Sequence, residues 1–135
     1  MDNLILIDQL ADYFEANGLG TKNIDIHPGS MPSSPDDLIS IHNSGGFESH
    51  QEVKLANPTF QVLIRANFEP DAINKSLKIY ELLNRQLNVE LVEDGIILRN
   101  CFAMAPPQPI GVDDNQRIKY TLNFRASVYE EQLFE

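Results

Sequence analysis

Residues Pro58 to Leu87 constrain this chain most, because they prescribe a strand, a turn and an amphipathic helix in immediate succession. Phe60, Val62, Ile64 and Ala66 alternate with Thr59, Gln61 and Arg65, which lays one apolar face along a strand. Leu63 interrupts the alternation and predicts an inner strand with both faces partly covered. Asn67-Phe68-Glu69 breaks the period, and Pro70 then takes a first-turn position where its missing N–H is no loss. Glu69 and Asp71 place negative charge at that N-terminus, which the helix dipole favours. From Ile73 the apolar spacing becomes three and four. The predicted buried stripe is Ile73, Leu77, Tyr80, Leu83 and Leu87, flanked by Ile79 and Leu82, with Lys75, Lys78, Glu81 and Arg85 opposite. A stripe of this kind needs a sheet to cover, and strands are predicted on both sides of it.

A length of 135 residues predicts one domain, spanning 1–135, with a core large enough to fold without disulfides or metal. The single cysteine, Cys101, cannot form an internal disulfide. Met1-Asp2-Asn3 before Leu4-Ile5-Leu6-Ile7 lacks the basic region and cleavage site of a signal peptide. No apolar run approaches the roughly 18 residues of a membrane helix, so a soluble, intracellular product with no membrane partner is expected.

The net charge of −10 is uneven: residues 1–50 hold eight acidic residues against one lysine, and residues 51–135 hold twelve against nine basic ones. That balance argues against a surface that grips nucleic acid, since phosphate contacts need a basic patch. It suits solubility, a basic partner, or a surface past which DNA slides without sticking.

The chain opens with an amphipathic helix carrying Leu6, Ile7, Leu10, Ala11, Phe14 and Tyr13 on one side, ended by Gly18 or Gly20. Asn23 to His27 reads as a short strand, followed by a connection that three prolines keep irregular. Leu38 to His42 is a second strand. Residues 45–57 show no convincing period and read as a long loop, which in a compact domain is usually functional or mobile. After the central strand and helix, residues 88–95 form a connection and Ile96 to Met104 a fourth strand. A second long connection, stiffened by Pro106, Pro107 and Pro109, runs through Asp113-Asp114-Asn115. Ile118, Tyr120, Leu122, Phe124 and Ala126 then alternate with polar residues in the fifth strand, and the tail from Tyr129 leaves the sheet. The expected fold is α+β, in the order α-β-β-β-α-β-β: a mostly antiparallel sheet of about five strands with both helices on one face. The other face of the last strand is expected to meet water or a partner.

Catalytic motifs are not found. His27, His42 and His50 match no metal-ligand spacing, and loop or strand-end roles account for them. Cys101 sits in an apolar strand, where it behaves as a small hydrophobe and not as a nucleophile. Gly45-Gly46 lacks the spacing of a phosphate loop, and Asp36-Asp37 and Asp113-Asp114-Asn115 lack the ligand ladder of a cation loop and read as turns. No enzyme activity and no cofactor are expected.

Asn57-Pro-Thr-Phe-Gln-Val-Leu-Ile-Arg-Ala, then Pro70-Asp-Ala, then the helix from Ala72 to Leu83 with its Ile79-Tyr80-Glu81-Leu82-Leu83 end, resemble the tail-terminator or tail-completion proteins of long-tailed bacteriophages, often termed minor capsid proteins. The order of elements resembles that family along the whole chain. The resemblance implies a structural virion protein at the head-proximal end of the tail, assembled as a ring, usually of six subunits, on the last ring of tail tube protein. It implies a second surface for the head-completion or neck proteins, and DNA that passes through the hole without being read. The interface residues expected on this reading are Phe47, Glu48, Glu52 and Lys54 of the long loop, Arg65 of the central strand, and Pro107, Asp113 and Asp114 of the second connection. A different neck component and a small cytoplasmic binding domain are the alternatives.

Overall fold

The computed structural model describes residues 4–47 and 54–133. Its elements are α1 (Leu4–Ala16), β1 (Ile26–Pro28), β2 (Leu38–Phe47), β3 (Leu55–Ala66), α2 (Glu69–Leu83), β4 (Gln86–Glu90), β5 (Ile97–Ala103), β6 (Gln108–Val112) and β7 (Ile118–Tyr129), closed by a 3₁₀ turn at Glu130–Gln132. The architecture is α+β, with two helices and a mostly antiparallel sheet of seven strands. Strand order is β1-β2-β3-β7-β5-β4, with β6 pairing alongside β7; β1–β2 is the parallel pair.

The central strand stands where the alternation puts it. Phe60, Val62, Ile64 and Ala66 of β3 pair in register with Phe124, Leu122, Tyr120 and Ile118 of β7, so apolar side chains of both strands line one face. Phe60 and Phe124 stack with ring centroids 5.2 Å apart. Leu6, Leu10 and Phe14 of α1 and Ile79 and Leu83 of α2 join these residues in one buried cluster. Burying each such side chain stabilises the fold by about 1.5–3 kcal/mol before entropy is counted. Gly18 ends α1 at φ +77°, with Leu19 N–H donating to the Phe14 carbonyl and Gly18 N–H to that of Glu15, a left-handed C-terminal cap.

Five expectations need correction. First, the sheet has seven strands, not about five: β4 and β6 form where connections were expected. β6 is an edge strand, bonded on one side, and such a strand tolerates Pro109. Second, α2 stops at Leu83 and does not reach Leu87. Asn84 is extended and its side-chain oxygen accepts from the Ala103 N–H at 2.8 Å, which ties the helix end to β5 and sends Leu87 out along β4. Third, α2 is turned on its axis by about one residue. Its buried residues are Ala72, Ser76, Ile79 and Leu83, while Ile73 and Leu77 are 36% and 44% exposed. Small Ala72 and Ser76 admit the helix backbone close to the sheet, and the Ser76 hydroxyl is satisfied by the Ala72 carbonyl at 2.7 Å. Fourth, residues 45–57 are not one loop. β2 and β3 continue as a ladder through Gly45↔Thr59, Gly46↔Pro58 and Phe47↔Asn57, past an irregularity where Gly45 takes φ +103°. Gly46 is required there: a Cβ would lie 2.8 Å from the Asn57 carbonyl oxygen. The first strand is also shorter than expected, with Asn23 to Asp25 in a turn.

Candidate functional site

The face opposite the apolar cluster carries Ser40 on β2, Arg65 on β3 and Thr121 on β7, and all three are buried. Residues 29–37, the connection that the prolines keep irregular, are fastened beside them. The Ser40 hydroxyl donates to the Ser30 carbonyl at 2.6 Å and also meets His42 Nε2. Arg65, 3% exposed, donates from Nη2 to the Pro35 carbonyl at 2.5 Å and from Nε to the Asp36 carbonyl at 3.2 Å. Arg117, 5% exposed at the start of β7, donates from Nη1 to the Ser33 carbonyl and contacts Asp36 Oδ1 at 3.3 Å. On its other side Arg117 Nε meets Asp113 Oδ2 at 2.8 Å.

Asp113 closes the turn between β6 and β7. Its Oδ1 accepts from the Asn115 and Arg117 N–H groups, each at 2.9 Å. Those bonds, that of the Arg117 N–H first, hold its carboxyl below the usual carboxylate range. Burial, and then the neighbouring charge of Arg117, push the Arg65 guanidinium down from its ordinary value. Together Met31, Ser33, Arg65, Asp113, Asp114, Asn115, Arg117 and Lys119 line a cleft of about 340 Å³.

Three of the expected interface residues, Arg65, Asp113 and Asp114, therefore meet in one place. Phe47 and Lys54 do not join them. Lys54 immediately precedes β3, whereas Arg65 is near its far end, a strand length of roughly 35 Å at 3.3 Å per residue. The Lys54 carbonyl accepts from the Glu130 N–H at 2.9 Å, and the Phe47 backbone pairs with Asn57. Pro107, half-buried, stands just before β6. Glu48 and Glu52 lie outside the described residues. Arg117 and Lys119 were missed by sequence reasoning. The available signal was an acid and a base four residues apart, Asp113 and Arg117, bracketing a turn.

Two potential nucleophiles, Cys101 and Ser40, are buried. Cys101 is fully buried, which pushes its thiol up to about 12. Ser40 is also fully buried, and its hydroxyl is engaged by Ser30. Among the described residues no cluster of three or more His, Cys, Asp or Glu could hold a metal ion. Large apolar side chains are exposed on the second half of the chain, among them Phe68, Leu87, Phe102, Met104, Ile110 and Val112.

The family model described as bacteriophage tail terminator protein matches residues 13–130 of this sequence, most of its length. The chain belongs to the bacteriophage tail terminator family. No curated protein matches it. A solved structure whose name states no function superposes with a TM-score of 0.50 at 11% identity, covering 90% of each chain, which supports the fold alone. Membership makes the chain a structural protein of the phage tail and a component of the virion. For a tail terminator, a clasped cleft and exposed apolar strands are features that contact between proteins can use.

Proposed function

We propose that this tail terminator caps the tail tube as a ring of subunits, six in number, and presents its other surface to the head-completion or neck proteins while DNA passes through the hole. Family membership over residues 13–130 is the observation that carries the reading. The net charge of −10 fits a ring through which DNA moves unread, because like charge keeps phosphates from adhering. Exposed apolar side chains along β4, β5 and β6 supply surface that subunit contact would take out of water. Phe47, Glu48, Glu52 and Lys54 at the β2–β3 end, Pro107 before β6, and Arg65, Asp113 and Asp114 at the cleft are proposed as interface residues.

The test mixes the purified chain with tube protein and records mass by light scattering and tube ends by negative-stain microscopy. Rings seated on tube ends are expected. A monomer indifferent to tubes contradicts the reading.

A further inference from the structure

Residues 29–37 hold to the body with little apolar contact. They adopt no helix or strand, and their side chains are exposed apart from half-buried Met31 and Pro32. The fastening is polar and runs through main-chain carbonyls. Those of Ser30, Ser33, Pro35 and Asp36 accept from Ser40, Arg117 and Arg65 of the sheet. The Asp36 and Asp37 carboxylates accept from the Asn67 side chain and N–H at 3.0 and 3.4 Å. One backbone bond, from the Gly29 N–H to the Ile41 carbonyl at 2.7 Å, ties the segment to a strand among the described residues. Asp36 and Asp113 act on both guanidiniums, so the closed arrangement is balanced in charge. Beneath the segment lies the outer face of β2 and β3. Leu38 stands opposite Arg65 in the ladder and is fully buried, yet it is not among the residues of the apolar cluster that α1 and α2 help to form. Ser40, two residues on, is fully buried on the same face and bonded to Ser30. Burial on this side is therefore supplied by residues 29–37 and not by a helix.

We infer that residues 29–37 form a lid, pinned by Arg65 and Arg117, that opens and closes while the rest of the fold stays intact. A segment with few buried apolar contacts and no ladder opens locally at far lower cost than a core strand does. Opening breaks guanidinium–carbonyl bonds, which are stronger than neutral ones, so the two arginines set how often it happens. The open form uncovers Leu38, Ser40 and both guanidiniums, an apolar spot beside a set of donors. Opening of this kind requires only the folded chain and is independent of ring assembly.

The test uses the full chain with two thiols. Leu38→Cys puts one beneath the lid, and the native Cys101, fully buried in the core, reports opening of the whole fold. With iodoacetamide under native conditions, read by mass spectrometry, position 38 should be alkylated at least about tenfold faster than Cys101. Adding Arg117→Leu should raise that ratio further, because it removes the bond to Ser33 and the pair with Asp36. Equal rates, or a ratio that Arg117→Leu leaves unchanged, would mean that the segment opens only with the whole molecule, and the lid is overturned. Should Leu38→Cys fail to fold, amide hydrogen exchange decides. Arg65→Lys, which keeps the charge and loses the fork, should speed exchange of the Gly29 N–H about threefold or more and leave the β3–β7 ladder amides unchanged. Acceleration of all these amides alike, or of none, overturns the lid equally.

Discussion

Asp113 shows how one carboxylate can organise a turn and a buried cation together. It accepts from two backbone N–H groups and pairs with the Arg117 guanidinium, so ionised Asp113 is bound more firmly in the folded chain than in the unfolded one. The sign of the pH effect follows. A carboxyl whose folded pKa lies below its unfolded value of about 4 contributes stability that is full above that value. The contribution is lost as pH falls through the lowered folded value. Thermal midpoints measured from pH 7 down to the acid limb should therefore fall less steeply for Asp113→Asn than for the parent, and start lower at neutral pH. Parallel curves for the two proteins would mean that the turn does not draw on this charge. Arg117, the partner, was not legible in the sequence. It precedes an alternating strand and resembles the first solvated residue of that strand, yet one of its acceptors is a carbonyl 84 residues earlier. Arg65, Asp113 and Asp114 could be singled out as residues, but nothing in their spacing said that they meet.

Helix α2 is where the sequence and the packed element part most instructively. Ranking side chains by apolar size selects Ile73, Leu77, Tyr80, Leu83 and Leu87, whereas the sheet buries Leu83 of these together with Ala72, Ser76 and Ile79. Small residues decide the face because they allow the helix axis to approach the strands, and size-weighted periodicity passes over them. Ile79→Asp should accordingly cost on the order of 3–5 kcal/mol in a denaturant titration, since the charge has no partner in a fully buried position. Leu77→Asp should cost about 1 kcal/mol or less at a position 44% exposed. The reverse ranking would show the helix to be seated as its large residues suggest. Much else was legible at this scale. Strands β3 and β7 follow period-two alternation because one of their faces is the core, and α1 ends at Gly18 because glycine takes the left-handed turn at least cost. β6 escaped because all five of its residues are exposed, so no apolar alternation marks it. The β2–β3 extension escaped because Gly45, Gly46 and Pro58 carry little strand propensity, and the pairing with β7 through Leu55 and Ala56 settles the matter instead.

At the scale of the molecule, the chain combines a seven-stranded α+β framework with an excess of negative charge. The ring, its six-fold order and its joining to the neck are proposals built on family membership, and they stand or fall together on what happens at the end of a tube. The most direct measurement is elongation. Tubes grown from tube protein are incubated with this chain, supplied with fresh tube protein, and their lengths followed by electron microscopy. Growth is expected to stop at ends bearing a ring, with the fraction of arrested ends rising with the amount of terminator added. Tubes that lengthen at the same rate with and without the chain would contradict it.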